Sequence, residues 1–187
     1  MLSKSEINVG KLLSFVLRHK PQEIGLTLDK HGWADIDDLL LCLKRSGCNL
    51  SFRTLEKIVN ENDKHRYSFN EDKTKIRANQ GHSIPVDVEL KKVKPPELLY
   101  HGTASRFVGS IRNSGIQKSG RIHVHLSSDY KTALNVGIRH GKPVVLTVMS
   151  GKMYDDGFEF FLSENGVWLC ENVPVKYIQE FAEEDKE

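Results

Sequence analysis

The segment Lys91-Lys92-Val93-Lys94-Pro95-Pro96 divides this sequence into two halves that carry different patterns. A run of charged residues followed by two prolines favours a stiff, extended connection between folded units. Residues 1–96 contain 17 Lys and Arg against 13 Asp and Glu, whereas residues 97–187 contain 10 against 12. The sequence therefore predicts two lobes, residues 1–94 and 97–187, of which the first is the better suited to binding a polyanion.

The half before this segment has the pattern of three helices followed by a β-hairpin. Ser3-Lys4-Ser5-Glu6 is a capping box that opens the first helix, and Pro21 ends it. Asp35 caps a second helix over Ile36–Arg45, and Ser51 begins a third. The hairpin strands and their turn are Tyr67-Ser68-Phe69, Lys75-Ile76-Arg77 and Asn70-Glu71-Asp72-Lys73. Three helices closed by a hairpin are typical of a winged helix, with Gln80-Gly81-His82-Ser83 as its exit.

The half after this segment is rich in strands, with two helices near its start. The predicted helices are Ser105–Asn113 and Asp129–Gly137. The predicted strands are Leu98–His101, His123–Ser127, Pro143–Met149, Phe158–Leu162, Val167–Cys170 and Tyr177–Phe181. The fold class expected for the whole chain is therefore α+β.

The composition is that of an ordinary soluble protein, with 39% hydrophobic and 28% charged residues. No apolar run reaches the roughly 18 residues of a membrane span, and the amino terminus lacks the apolar region of a signal peptide. We therefore expect a cytoplasmic protein with no membrane partner. Cys42, Cys48 and Cys170 have no C-x-x-C spacing and are expected to be reduced thiols.

The strand predicted after Arg121 has one apolar and one polar face. Ile122, Val124 and Leu126 alternate with His123 and His125, so the two imidazoles lie on the opposite face from the aliphatic side chains. A strand that only packs in a core would not need the polar face. This pattern indicates that the chemistry of the protein lies here.

Two imidazoles on one strand face could bind zinc. However, His101 is the only obvious third ligand, and no nearby Cys, Asp or Glu has a suitable spacing. We therefore expect no metal.

Two basic clusters in the first lobe indicate an anion site. Arg18-His19-Lys20-Pro21 could simply be cations in the last turn of a helix, where they complement the helix dipole. That explanation is weaker for Arg66, which lies between Lys64-His65 and Tyr67 at the entry to the hairpin. Arginine suits phosphate because its planar group can donate two hydrogen bonds at once.

The tripeptide His101-Gly102-Thr103 is predicted to join a strand to a helix. Its glycine would let a ligand approach the backbone, and its threonine could cap the helix beside an anion. Simple turn chemistry would explain the same residues. Neither G-x-G-x-x-G nor G-x-x-x-x-G-K-[ST] occurs, so a Rossmann dinucleotide site and a P-loop are not indicated.

Taken together, six motifs in order along the chain resemble those of the KptA-type RNA 2′-phosphotransferase family, which is best known for removing the splice-junction 2′-phosphate of tRNA. The motifs are Arg18-His19-Lys20-Pro21, Asp29-Lys30-His31-Gly32-Trp33, Lys64-His65-Arg66-Tyr67, Arg77-Ala78-Asn79-Gln80-Gly81-His82-Ser83, Tyr100-His101-Gly102-Thr103 and Arg121-Ile122-His123-Val124-His125-Leu126-Ser127. The resemblance covers nearly the whole chain, and no single motif carries it.

This resemblance implies an amino-terminal winged-helix lobe that binds RNA and a carboxy-terminal lobe of the NAD-dependent ADP-ribosyltransferase fold. It also implies a catalytic set and a set that binds NAD as co-substrate. The catalytic set is Arg18, His19, Arg66 and Arg121, and the NAD set is His101, Gly102, Thr103, His123, His125 and Ser127. Many transferases of that fold have a late-strand Glu, but Gly166-Val167-Trp168-Leu169 offers no carboxylate there.

The activity implied is transfer of an internal RNA 2′-phosphate to NAD through a 2′-phospho-ADP-ribosylated RNA intermediate. The expected partner is RNA that carries an internal 2′-phosphate, most of all tRNA. The enzyme is expected to be a monomer. Two other functions stay open. One is ADP-ribosylation of terminal nucleic-acid phosphates, and the other is binding of RNA or NAD without turnover.

Overall fold

The computed structural model describes residues 2–62 and 64–182, and the chain divides into two compact units, Met1–Glu89 and Leu90–Glu187. Each unit has its own cluster of buried apolar side chains. Both mix helices with small antiparallel sheets, which agrees with the α+β class. The division falls a few residues before the predicted one, because Lys91–Lys92 pairs as a strand with Phe161–Leu162 of the second unit.

The helices of the first unit begin and end where the sequence places their caps. They are α1 (Lys4–Arg18), α2 (Ile36–Arg45) and α3 (Phe52–Asn60), and a short 3-10 helix covers Pro21–Ile24. Ser3 and Glu6 form the predicted capping box of α1, with each side chain bonded to the other residue's backbone N–H. Asp35 and Ser51 cap α2 and α3 through their side-chain oxygens.

The first unit also contains a three-stranded sheet. Its strands are β1 (Ala34–Asp35), β2 (Tyr67–Phe69) and β3 (Lys75–Ala78), in the order β1-β3-β2. The predicted hairpin is confirmed, since Tyr67 pairs with Ala78 and Phe69 with Ile76. Tyr67 is buried and its hydroxyl donates to the Gly10 carbonyl of α1 at 2.5 Å, which ties the start of β2 to that helix.

The second unit contains most of the strands. Its elements are β4 (Lys91–Lys92), β5 (Leu99–Ala104), α4 (Ser105–Ser114), β6 (Ile116–Gln117), β7 (Val124–Leu126), α5 (Tyr130–Ile138), β8 (Pro143–Val148), α6 (Ser150–Asp155), β9 (Phe161–Leu162), β10 (Trp168–Cys170), β11 (Asn172–Val173), a 3-10 helix (Val175–Tyr177) and α7 (Gln179–Ala182).

Three small antiparallel sheets build this unit, in the orders β4-β9-β10-β7, β5-β8 and β11-β6. The longest pairing runs from Leu99↔Val148 to Ala104↔Pro143. A single bridge between Tyr100 and Ser127 places β7 beside β5, with the two backbone hydrogen bonds at 2.8 and 2.9 Å. The polar residues predicted on β5 and β7 therefore lie on neighbouring strands.

One predicted strand is wrong. Tyr177–Phe181 was expected to be extended, but the 3-10 helix ends at Tyr177 and α7 begins at Gln179. Only Ile178 makes a bridge, to Val148. The Glu180 carboxylate accepts hydrogen bonds from both the backbone N–H and the hydroxyl of Thr147, which holds this turn against β8. The apolar pattern of this stretch was misleading because Tyr177 and Ile178 are buried at the end of the 3-10 helix and not along a strand.

Two expectations about the whole chain can be compared with the described residues. Cys42, Cys48 and Cys170 are all free thiols, as predicted. Within residues 2–62 and 64–182, no helix is both long and apolar enough to cross a membrane.

Candidate active site

Arg18 and His19 lie at the carboxyl end of α1, where the helix is forced to stop. His19 leaves the helical conformation, and its backbone N–H still donates to the Phe15 carbonyl at 2.9 Å. Pro21 cannot donate a backbone hydrogen bond and instead starts the 3-10 helix. Both side chains are half-buried, so the helix end presents two adjacent hydrogen-bonding groups on a rigid element.

Arg66 is positioned by two buried asparagines. The Asn62 side-chain oxygen accepts from Arg66 Nη1 at 3.2 Å and from the backbone N–H groups of Lys64 and Arg66. Asn79 donates from its backbone to the Arg66 carbonyl at 2.9 Å and from its side chain to the His65 carbonyl at 2.8 Å. These contacts fix both the loop before β2 and one edge of the Arg66 guanidinium.

Arg18 and Arg66 are brought together in the first unit. Arg18 Nη2 donates to the Arg66 carbonyl oxygen at 3.5 Å. The two residues are 48 positions apart in sequence and come from α1 and from the loop entering the hairpin. The arrangement can present several N–H donors to one anion, because each guanidinium carries a planar set of donors.

The segment Gly81–Ser83 lies against the end of α1. The Ser83 backbone N–H donates to the Arg18 carbonyl at 2.9 Å, and Ser83 Oγ lies 2.9 Å from His19 Nδ1. Gly81 has φ +87°, a left-handed conformation that favours glycine, and a Cβ added there would lie 3.6 Å from Arg18 Nη1. The hairpin exit predicted from sequence therefore returns to the basic residues of α1.

His82 is buried beside three basic groups. Its side chain is 2% exposed, and its Nε2 has no hydrogen-bond partner among the described residues. Burial, together with the positive charges of Arg18, His19 and Arg77, lowers the pKa of His82 to about 4. His82 therefore stays neutral near pH 7 and adds no further charge to the cluster.

This burial predicts an acid-dependent loss of stability. The unfolded chain binds a proton on His82 near pH 6.5, whereas the folded protein binds it only near pH 4. The free energy of unfolding should therefore decrease as the pH is lowered from 6.5 to 4, and it should level off below pH 4. The separation corresponds to roughly 3 kcal/mol. The free energy of unfolding, measured with urea, should differ less between pH 7 and pH 4.5 for His82→Gln than for the wild type. The same difference in both proteins would contradict this role.

A cleft of about 460 Å³ runs along α1 and α3 and reaches Arg66. Its lining includes the basic residues Lys11, Lys64 and Arg66, the acidic residues Glu6 and Glu61, and the apolar residues Leu2, Ile7 and Ile58. The cleft therefore presents charges of both signs beside Arg66.

In the second unit, Arg121 has a basic neighbour that the sequence did not reveal. The pKa of Arg121 is lowered because surrounding atoms displace water from its guanidinium and because Arg139 adds positive charge. Arg121 stays protonated, and part of its surface remains open to solvent. Arg121 and Arg139 are both exposed and form a basic surface, and Arg139, at the end of α5, would have been hard to find without the fold.

His101 connects this region to β7. Its Nδ1 lies 3.1 Å from the His125 carbonyl oxygen. Burial lowers the pKa of His101, and the charges of Arg121 and His140 act in the same direction, while the hydrogen bond to His125 opposes them. A neutral His101 that donates through Nδ1–H has Nε2 as an acceptor.

The alternation predicted for β7 is confirmed. Val124 and Leu126 are buried, whereas His125 is only half-buried. His123 precedes the strand and lies near the Phe161 ring, with 5.6 Å between ring centroids. Burial is the largest cause of the lowered pKa of His123, and the opposing effect of Glu171 is smaller.

Gly102 and Thr103 lie at different positions in the fold from those expected. Both lie inside β5 and not at its junction with a helix, and the cap of α4 is Ala104 with no side-chain bond. A Cβ on Gly102 would lie 1.7 Å from the Ala133 carbonyl oxygen of α5. The close packing of α5 on β5 therefore requires a glycine at this position whether or not a ligand binds there, and NAD binding at Gly102 stays a prediction. Thr103 is buried and does not cap the helix.

The structure brings some of the predicted residues together in each unit. Arg18 contacts Arg66, with His19 next to Arg18 at the end of α1, and His101, His125 and Ser127 lie on or beside the neighbouring strands β5 and β7 of the second unit. Sequence reasoning missed the supporting residues Asn62, Asn79, His82 and Ser83. Of these, Asn79, His82 and Ser83 lie within a motif that the sequence had already singled out.

Within residues 2–62 and 64–182 there is no group of three or more His, Cys, Asp or Glu side chains arranged to hold a metal ion. His123 and His125 are therefore not joined by a third ligand of these types in that part of the chain.

Comparison with known proteins gives one consistent result. Residues 4–172 match the family model of the RNA 2′-phosphotransferases, Tpt1/KptA family. A protein of Flavobacterium johnsoniae named "Probable RNA 2′-phosphotransferase" is 53% identical over 172 residues, which cover 92% of this chain and 94% of the relative. Proteins of the same name from Fusobacterium nucleatum and Pectobacterium atrosepticum are 52% and 47% identical, covering 94% and 96% of this chain and 98% and 100% of the relatives.

Proposed function

Since this chain belongs to the Tpt1/KptA family of RNA 2′-phosphotransferases, we propose that it transfers an internal RNA 2′-phosphate to NAD. The products are RNA with a 2′-hydroxyl, nicotinamide and ADP-ribose 1″,2″-cyclic phosphate. The main candidate substrate is tRNA that carries a 2′-phosphate at its splice junction. The enzyme works as a cytoplasmic monomer. Its first unit acts as a winged-helix RNA-binding lobe and its second as an ADP-ribosyltransferase-like lobe.

The observation that carries this proposal is the contact of Arg18 with Arg66, with His19 next to Arg18 at the end of α1. A 2′-phosphate flanked by RNA carries up to two negative charges and needs several donors held in place before it binds. The rigid end of α1 and the loop fixed by Asn62 supply such donors. The cleft along α1 and α3, with Lys11 and Lys64 in its lining, supports binding of the neighbouring RNA backbone.

The second unit has groups suited to NAD. Arg139 supplies positive charge for its pyrophosphate, and the half-buried His101 supplies an acceptor nitrogen. Tyr130 is 54% exposed and meets the Tyr100 ring edge-on, with 5.9 Å between centroids, so it offers an aromatic surface for a base or nicotinamide. We assign NAD binding to this unit, through His101, Gly102, Thr103, His123, His125 and Ser127.

In the first chemical step, a 2′-phosphate oxygen of the RNA attacks the ribose C1″ of NAD. The bond from C1″ to nicotinamide breaks, and 2′-phospho-ADP-ribosylated RNA is formed. A phosphate is already anionic near neutral pH, so this step needs no base to activate the nucleophile. That agrees with Gly166–Leu169, which has no carboxylate.

In the second step, the ADP-ribose 2″-hydroxyl attacks the phosphorus and the bond to the RNA 2′-oxygen breaks. Negative charge grows on the phosphate oxygens, and we assign its stabilisation to the guanidinium groups of Arg18, Arg66 and Arg121. The departing 2′-oxygen needs a proton, and His19 supplies it as a general acid. Neither step requires a metal.

The test is incubation of the full chain with NAD and a short RNA that carries one internal 2′-phosphate. Nicotinamide, 2′-hydroxyl RNA and ADP-ribose 1″,2″-cyclic phosphate should form in equal amounts, with full activity after exhaustive chelation. The same RNA with a 2′-hydroxyl is the control and should give no nicotinamide. Modification of terminal phosphates alone would identify the protein as a nucleic-acid ADP-ribosyltransferase, and binding without turnover would identify a binding protein. Stoichiometric bound zinc whose removal abolishes turnover would refute the metal-free mechanism.

A further inference from the structure

Ser83 contacts both residues at the end of α1. Its backbone N–H donates to the Arg18 carbonyl at 2.9 Å, and its Oγ lies 2.9 Å from His19 Nδ1. The first bond satisfies one of the carbonyls that a helix leaves without an internal partner at its carboxyl end. The second bond places the only side-chain oxygen of Ser83 on one particular nitrogen of the His19 ring.

We propose that Ser83 is a positioning residue that holds His19 in the tautomer with its proton on Nδ1, so that Nε2 exchanges the proton with the substrate. This inference rests on the proposed function, in which His19 is the general acid of the second step. Ser83 itself does not touch the reacting atoms. It acts through the orientation of the imidazole.

The direction of the hydrogen bond follows from the requirements of acid catalysis. A protonated His19 carries hydrogen on both nitrogens, so Ser83 Oγ must accept from Nδ1–H. When Nε2–H gives its proton to the RNA 2′-oxygen, Nδ1–H remains in place and the same hydrogen bond persists. The ring therefore does not need to turn during the step. If Ser83 instead donated to Nδ1, that bond would have to reverse each time His19 became protonated.

The surrounding backbone keeps Ser83 in place although its side chain is exposed. Gly81 turns the chain with φ +87° beside Arg18, since a Cβ added there would lie 3.6 Å from Arg18 Nη1, and His82 is 2% exposed. Ser83 thus follows a buried residue and is bonded through its own N–H to α1. A side chain carried on a fixed backbone can orient its partner at a small entropic cost.

The first experiment compares Ser83→Ala and Ser83→Thr in the second step, measured by single turnover from isolated 2′-phospho-ADP-ribosylated RNA. Both variants keep the backbone N–H that bonds to Arg18, so they change only the side chain. Ser83→Ala should slow the step about 10-fold, with less than about a twofold change in the concentration of RNA for half-maximal rate. Ser83→Thr keeps the hydroxyl and should restore most of the rate.

Ser46→Ala is the matched control. The Ser46 hydroxyl bonds only locally in the described structure, to the Leu43 carbonyl at the end of α2. This variant should keep the wild-type rate. Thermal unfolding of each protein checks that the Ser83 variants are folded. Equal loss of rate in Ser83→Ala and Ser83→Thr would overturn the assignment to the hydroxyl.

The second experiment reads the tautomer directly and does not depend on activity. Long-range ¹H–¹⁵N spectra of the ¹⁵N-histidine protein, with the His19 signals identified from His19→Gln, should show the Nδ1–H tautomer for neutral His19. Ser83→Ala should move the ring towards the Nε2–H tautomer, and Ser83→Thr should not. Wild-type His19 in the Nε2–H form, or a tautomer unchanged in Ser83→Ala, would refute the proposal. An inactive wild-type protein would refute the proposed function alone, because the spectra would still decide what Ser83 does.

Discussion

An Arg121→Ala variant is expected to release nicotinamide from NAD and then to accumulate 2′-phospho-ADP-ribosylated RNA. Only the second step crowds negative charge onto the phosphorus, so loss of a guanidinium that stabilises this charge should affect that step most. Removing one such donor should slow it by about 10²–10³-fold. The first step should change by less than about 10-fold, since the phosphate is already a nucleophile. Quenched time courses with radiolabelled RNA would separate substrate, intermediate and product.

The comparison variants test whether geometry or charge is responsible. Arg121→Lys retains the positive charge but loses the planar set of donors, so the intermediate should still accumulate, to a smaller extent. His19→Ala should also accumulate it, because the 2′-oxygen would lack its proton donor. Arg112→Ala, which removes an exposed arginine from the last turn of α4, should behave like the wild type. If nicotinamide release fell in proportion to final product in Arg121→Ala and His19→Ala, the assigned roles would be wrong.

Gly102→Ala is expected to destabilise the second unit strongly, whether or not NAD is present. The new Cβ would lie 1.7 Å from the Ala133 carbonyl oxygen and 3.0 Å from the Gly137 backbone nitrogen. Both are backbone atoms of α5, so relief requires the helix to move away from β5. The same close packing is seen from the helix side, because a Cβ on Gly137 of α5 would lie 2.7 Å from the Thr103 carbonyl oxygen of β5. We expect a loss of about 3 kcal/mol or more in the free energy of unfolding.

Gly109→Ala provides the matched control in the same unit. Gly109 lies within α4, and a Cβ there would have no other atom within 4 Å. The change should be neutral or stabilise the protein by up to about 1 kcal/mol, because alanine is the better helix former. Chemical unfolding of both variants without NAD is the measurement. A Gly102→Ala protein with wild-type stability but weakened NAD binding would instead favour the interpretation that this glycine admits a ligand.

Much of the first unit could be predicted because its signals are local. Asp35 caps α2 through bonds to the N–H groups of residues two and three positions later, and Pro21 prevents α1 from continuing. The hairpin also depends on residues close in sequence, since Tyr67–Phe69 and Lys75–Ala78 are joined by one turn. Such interactions involve only residues that are close in sequence, so the local sequence is sufficient to predict them.

The short strands of the second unit could be predicted less well, because each is defined by a distant partner. Lys91–Lys92 looks like a linker by composition but pairs with Phe161–Leu162, some 70 positions later. Tyr177–Phe181 has the apolar composition of a strand, yet it forms helical turns held to Thr147 by Glu180. Propensity is a weak guide where a tertiary partner determines the conformation.

The sequence by itself determined the family of this protein and predicted which side chains carry the chemistry, because Arg18, His19 and Arg66 stand in motifs that resemble those of the family. Only the tertiary structure decided what holds those side chains in place. Ser83 is hydrogen-bonded to His19, which is 64 positions away in sequence. Asn62 is hydrogen-bonded to the Arg66 guanidinium because the chain turns between these two residues. Gly102 is required by a helix that begins 28 residues later. Hydrogen bonding and close packing depend on distances in space, and chain spacing fixes those distances only within a single turn or helix.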